Sequence, residues 1–133
     1  MEQDIFWREG PWTLEEYQEA YETERGVWRV AVAEDVVIGY GFGVMQHDTL
    51  EIMAVAVDPC WRSMGVGRRL LRALVSGARQ NDATLVTLHV RCTNQDAISL
   101  YMSEGFTIRC RKKRYYLHGR DAYEMRRRLE RVE

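Results

Sequence analysis

The apolar positions change their period several times along the chain, and each change marks an element. Leu14, Tyr17 and Tyr21 recur at helical spacing after Pro11-Trp12-Thr13; Thr13 with Glu16 forms a capping box, and Gly26 closes the helix. Val27 to Ala33 and Val36 to Met45 are rich in β-branched and aromatic residues, which predicts two strands joined by the turn Glu34-Asp35. A turn at Gln46-His47-Asp48 leads to a third antiparallel strand, Leu50 to Val57. Its run Ile52-Met53-Ala54-Val55-Ala56-Val57 does not alternate, as in a strand covered on both faces. Pro59 ends it. A helix from Gly65 to Ala78 follows, with Val66, Leu70, Leu71, Leu74 and Val75 as its buried stripe and Arg68, Arg69, Arg72 and Arg79 at its edges and outer face. Leu85 to Arg91 predicts a further apolar strand. Gln95 to Ser103 predicts a short helix capped by Asn94 and broken at Gly105. Phe106 to Arg111 and Ala122 to Leu129, joined through Arg114-Tyr115-Tyr116, predict a closing pair of strands. The order is helix, three-stranded meander, helix, strand, helix, two strands: a mixed α/β sheet.

With 133 residues, one domain over 1–133 is expected. A composition that is 46% hydrophobic and 29% charged, with ten Gly and two Pro, excludes disordered and collagen-like classes. The net charge of −1 conceals a division. Residues 1–60 carry 13 acidic and 3 basic side chains, a net of −10; residues 61–133 carry 16 basic and 7 acidic, a net of +9. This points to an anionic partner for the second half, with cross-fold pairing as the simpler reading. Cys60, Cys92 and Cys110 are odd in number and widely spaced, and MEQDIFWREG lacks the features of a signal peptide. No apolar run approaches the ~18–20 residues of a membrane span. A soluble cytoplasmic protein without membrane association is expected. His47, His89 and His118 make no zinc-finger spacing with the cysteines, so no metal is expected. The oligomeric state is left open.

The segment from Val57-Asp58-Pro59 through Gly65-Val66-Gly67-Arg68-Arg69 has the physics of an anion site. Two glycines let a ligand approach the backbone, the helix start offers unpaired N–H groups, and Arg62, Arg68 and Arg69 add charge. It is neither a Walker loop nor a complete dinucleotide fingerprint, because the third Gly would fall at Leu70. On its own, the Gly pair also suits a tight strand-to-helix turn.

Arg62-x-x-Gly65-x-Gly67 after a strand ending in Val-Asp-Pro resembles the acetyl-CoA motif of the GNAT superfamily of N-acetyltransferases. Asn94-x-x-Ala97-x-x-Leu100-Tyr101-x-x-x-Gly105-Phe106 resembles its second motif, at the usual separation. Leu88-His89-Val90-Arg91, Tyr115-Tyr116 and Asp121-Ala122-Tyr123-Glu124-Met125 are similar to the branch that acetylates protein N-termini, which includes the ribosomal-protein alanine acetyltransferases. The resemblance covers about residues 10 to 129 and implies a GNAT-like, mostly antiparallel sheet flanked by helices. Family members carry a strand and most of a helix ahead of the Pro-Trp segment, where this chain has ten residues. The first strand and helix are therefore expected to be short or missing.

The resemblance also implies roles. Acetyl-CoA would be the cosubstrate, cradled at its pyrophosphate by Arg62, Met64, Gly65, Val66, Gly67 and Arg68 and along its arm by backbone groups of Val55 and Val57. Asn94 would touch that arm or hold the second motif. His89 would be the general base, directly or through water, against a core histidine as the bland alternative; Tyr101 would be the general acid, against an aromatic packing residue. A backbone N–H between Ala54 and Val57 would hold the oxyanion. Trp12, Thr13, Trp61, Tyr115 and Tyr116 would contact the substrate, and Glu15, Glu16 and Glu51 would draw in a cationic N-terminus. The expected reaction acetylates the α-amine of a protein or peptide. The alternatives are a lysine side chain, polyamine or other small amine, and a nucleic-acid-binding module built on Arg109 to Arg114 and Arg126-Arg127-Arg128. Those same runs would let the enzyme dock near ribosomal RNA.

Overall fold

The computed structural model describes residues 25–113, 115 and 120–130. The strands are β1 (Gly26–Ala33), β2 (Val36–Gln46), β3 (Thr49–Val57), β4 (Leu85–Arg91), β5 (Thr107–Lys112) and β6 (Ala122–Arg128). The helices are α1 (Val66–Gln80), between β3 and β4, and α2 (Gln95–Ser103), between β4 and β5; a 3₁₀ turn, Pro59–Trp61, precedes α1. This is the order expected from the sequence, with ends moved by one or two residues. Gly26 opens β1, and Gln46 belongs to β2 rather than to the turn after it. The expected helix from Thr13 lies outside the described residues, as does the question of a shortened first strand.

The sheet order is β1-β2-β3-β4-β6-β5. All neighbours are antiparallel except β3 and β4, which run parallel because α1 crosses between them. The β1–β2 turn has positive φ at both Glu34 (51°) and Asp35 (65°), the backbone that a two-residue hairpin with matching twist requires.

α1 lies against the first three strands because β2 presents glycine to it. A Cβ on Gly39 would stand 2.9 Å from the Ala56 carbonyl oxygen, 3.1 Å from Leu70 Cδ1 and 3.3 Å from Val66 Cγ1. Only the missing side chain admits the first turns of the helix. Leu71 and Leu74 are then fully buried with Leu50, Ile52, Val86 and Leu88. Each such side chain contributes roughly 1.5–3 kcal/mol.

The unalternating run of β3 has a local cause. The β2–β3 register shifts between Phe42 and Gly43, with Gly43 opposite Ile52 and Phe42 opposite Ala54, so Met53 is the extra residue of a bulge. Before the bulge Leu50 and Ile52 face the helix-side core, and after it Val55 does. Met53 and Ala54 join a second apolar cluster with Phe42, Trp28, Tyr40 and Val44. There the rings of Trp28 and Phe42 stack at 4.3 Å. Both faces of β3 do carry apolar clusters, and the bulge distributes the residues between them.

Candidate active site

Two features meet where β3 and β4 part. The parallel ladder runs only from Thr49–Leu85 to Ile52–Leu88. Beyond Ile52, β3 remains paired with β2, through Phe42–Ala54 to Gly39–Val57, while its other edge has left the ladder with β4. Amides on that edge are available to a ligand.

On the helix side of this opening, Asp58 accepts a hydrogen bond from the Cys60 N–H at 2.8 Å and starts the 3₁₀ turn that carries Trp61, which is half-buried. Ser63 and Gly65 both have positive φ, 65° and 83°. At Gly65 an added Cβ would meet nothing within 4 Å, so this backbone is open on its outer side. The first bond of α1 runs from Arg69 N–H to the Gly65 carbonyl at 3.1 Å. The amides of Val66, Gly67 and Arg68 precede it and receive no helical partner. Met64 is exposed, and Val57 packs beneath Gly67, whose Cβ position is 3.8 Å from Val57 Cγ2. The residues fit a phosphate-bearing arm: an open left-handed turn, three forward-facing amides and the positive end of the helix.

The arginines here behave differently from one another. Arg62 Nε donates to the Val57 carbonyl at 3.4 Å. Arg68 donates to Ser103 Oγ (2.9 Å) and forms a close ion pair with Glu104, so its guanidinium is engaged at the end of α2. Arg72 donates to the same carboxylate from Nε and Nη2 at 2.8 and 3.0 Å. Hydrogen bonding to Arg72, with Arg68 adding to it against the cost of burial, pulls Glu104 down to about 2. No local pattern in the sequence marks Glu104 for this role.

α2 carries the second motif. Asn94 caps it by accepting from the Ala97 N–H at 3.2 Å. Tyr101 is buried in the helix-side core with its ring tilted against Phe106 at 6.1 Å. Burial pushes its phenol up to about 12, which keeps it protonated and able to donate.

Across the sheet, on the face away from the helices, β4 alternates: Val86, Leu88 and Val90 are buried in the helix-side core, and His89 points the other way. His89 stands opposite Glu124 in the β4–β6 pairing, and Glu51 lies one strand away on the same face, opposite Thr87. His89 Nδ1 is 3.7 Å from Glu51 Oε2, and Nε2 is 3.6 Å from Glu124 Oε1. Tyr115 stacks on the imidazole at 4.3 Å with the planes 13° apart. Lys112 Nζ is 3.0 Å from Glu124 Oε1, and Arg109 Nη1 is 3.2 Å from Oε2.

Burial, then the Lys112 charge, lowers the His89 imidazole to about 4 against the opposing pull of Glu124, so it is neutral at pH 7. Burial raises Glu51. Burial would raise Glu124 too, but Lys112, His89 and Arg109 outweigh it and the carboxylate is lowered.

The described structure thus brings together His89 and Tyr115, and separately groups Gly65 to Arg68 with Val57. Trp12, Thr13 and Tyr116 lie outside the described residues. In the sequence Glu51 reads only as an attractor of cations, and Glu124 only as part of the Asp121-to-Met125 motif. The available signal was a lone carboxylate inside the apolar run Thr49–Val57, two residues before its bulge. Among the described residues, Arg68 and Arg72 pair with Glu104, Arg109 and Lys112 with Glu124, and Arg111 with Asp121, each pair lying within the second half. Among the described residues, no helix is long and apolar enough to cross a membrane.

Comparison with known proteins bears directly on this arrangement. Over 132 residues the chain is 33% identical to N-alpha-acetyltransferase RimI of Mycobacterium tuberculosis, covering 96% of this chain and 82% of that protein. An uncharacterised protein of Mycobacterium leprae is 35% identical over 132 residues, but the chain spans only 36% of its length. The crystal structure of the ribosomal-protein-S18-alanine N-acetyltransferase from Escherichia coli superposes with a TM-score of 0.81 at 25% identity, covering 92% of this chain and 81% of that one. The family model for the acetyltransferase (GNAT) family matches residues 2–106. With the two motifs folded into one opening in one sheet, the chain belongs to the GNAT family of acetyltransferases.

Proposed function

We propose that residues 1–133 act as one domain that transfers an acetyl group from acetyl-CoA to the N-terminal α-amine of a protein or peptide. The observation that carries this reading is the opposition of two sites across one gap in the sheet. An anion-binding turn lies on the helix side, and a pocket of carboxylates around a neutral imidazole lies on the other. The relatives named for N-alpha and ribosomal-protein alanine acetylation support the choice of a protein N-terminus.

Acetyl-CoA supplies an acetyl group already activated as a thioester. The Gly65–Arg68 turn would hold its phosphates, and Val55 and Val57 its arm. The edge of β3 beyond Ile52 offers N–H donors to a carbonyl oxygen placed in the gap. Glu51 and the lone pair of His89 are two acceptors 3.7 Å apart. An ammonium group is the donor that satisfies both, so they select a cationic amine and stand ready to take its proton. An α-amine, with a pKa of roughly 7.7–8.0, needs little help to lose it. Tyr101, protonated and reaching from the helix side, donates toward the leaving sulfur. Trp61 and Tyr115 border the amine.

A thiol-release assay over peptides varied in their first two residues, beside free lysine and spermidine, tests the reading. Turnover on at least one peptide N-terminus with little on the small amines is expected. The reverse order assigns the enzyme to side-chain or polyamine acetylation.

A further inference from the structure

His89 has a carboxylate beyond each ring nitrogen, and the two differ in kind. Glu124 is bound by Lys112 at 3.0 Å and by Arg109 at 3.2 Å, two cations that favour its ionised form. Among the described residues Glu51 has no such cation in ion-pair contact, and burial raises it against the pull of the Lys112 charge. An ionised carboxylate can only accept hydrogen bonds, and a neutral imidazole carries a single N–H. The nitrogen facing Glu124 is Nε2, 3.6 Å away, buried and without a hydrogen-bond partner. Placing the hydrogen there points it at fixed negative charge. Placing it on Nδ1 would set a lone pair against that charge. Tyr115, stacked on the ring at 4.3 Å and 13°, keeps the imidazole in its plane and opposes rotation that would exchange the two nitrogens.

We propose that Glu124 is a positioning residue: it holds His89 in the Nε2–H tautomer and so leaves the Nδ1 lone pair, on the Glu51 side, to receive the proton of the amine. This rests on the reading of the site as an amine acetyltransferase. In this proposal Glu124 acts through His89 rather than on the amine itself. Lys112 and Arg109 of β5 act one step further back by keeping its charge in place. Among the described residues, the charged and titratable groups facing the imidazole are Glu51 on β3, Glu124 on β6, Lys112 on β5 and Tyr115 in the following loop.

The test reads the tautomer directly. Long-range ¹⁵N–¹H correlation spectra of the uniformly labelled protein at pH 7, with the His89 signals assigned by their loss in His89→Gln, distinguish Nε2–H from Nδ1–H. The unmodified protein is expected to show Nε2–H at His89, and Glu124→Gln a mixture. In Glu124→Gln, kcat on a peptide substrate should fall on the order of 100-fold, as when a base loses the carboxylate that fixes its tautomer, while KM for acetyl-CoA stays within about twofold. An Nδ1–H tautomer in the unmodified protein overturns the proposal, and that result stands even if Glu124→Gln fails to fold. An unchanged kcat in a folded Glu124→Gln overturns it as well. The predicted tautomers without turnover on any amine would leave Glu124's hold on the tautomer standing and remove the functional reading, and with it the catalytic purpose of that hold.

Discussion

Glu104, at the end of α2, accepts two hydrogen bonds from Arg72 of α1, at 2.8 and 3.0 Å. Through this carboxylate, and the bond it also makes to Arg68, the helix bearing the anion turn is tied to the helix bearing Tyr101. Glu104→Gln keeps the shape and removes the charge. Thermal unfolding should show a Tm lowered by a few degrees and a raised Kd for acetyl-CoA, since the two helices lose their common anchor. Equal Tm and Kd in variant and parent would mean that packing alone sets the helix positions.

The same pair fixes one pH dependence. Glu104 titrates at about 2 in the folded chain, below its ordinary 4.5. The unfolded chain therefore takes up this proton first on acidification, and the stability from this carboxylate is complete above about 4.5 and is lost as pH falls toward 2. Denaturant midpoints measured across that window should fall less steeply in Glu104→Gln than in the parent.

His89 acts in a different window. Its folded value of about 4 lies below the ordinary 6.5, so between these values the unfolded chain binds a proton that the folded chain refuses. Stability should decline as pH drops from 6.5 to 4, and His89→Gln should flatten that part of the profile. A profile unchanged by His89→Gln would show that the imidazole is hydrated rather than buried.

The two motif glycines should respond in opposite directions. Gly65 sits at φ +83° with open space around it, so alanine there meets backbone strain rather than a clash and costs about 1–2 kcal/mol. Gly67 is inside α1, and its nearest neighbours to a Cβ stand at 3.8 Å. Gly67→Ala should be accommodated and should stabilise by about 0.4–1 kcal/mol, measured by urea unfolding.

For the chemical step, Tyr101→Phe and His89→Ala should each lower kcat by roughly 10²–10⁴-fold while acetyl-CoA binding, followed by calorimetry, changes little. Near-normal rates in both would move the proton transfers to other groups, with Glu51 the next to test.

Among the described residues, the element order, both helices and all six strands were legible in the chain because period and punctuation are local properties: the Leu70–Leu74 stripe, the Glu34-Asp35 turn and the stop at Pro59 need no partner to be read. The anion turn was legible for the same reason, its glycines and helix start being contiguous. Contacts between distant segments were not. Nothing near Glu104 announces Arg68 and Arg72, some thirty residues earlier, and nothing in Leu88-His89-Val90 says that Glu51 and Glu124 will flank the ring. Those pairings follow from strand order and register. A one-residue slip of β6 against β4 would turn Glu124 to the opposite face. The sequence by itself therefore determined the described elements and the two family motifs, and singled out His89 as the candidate base. Tertiary structure alone decided which carboxylates surround that base and where the sheet opens, because both depend on which strands lie side by side.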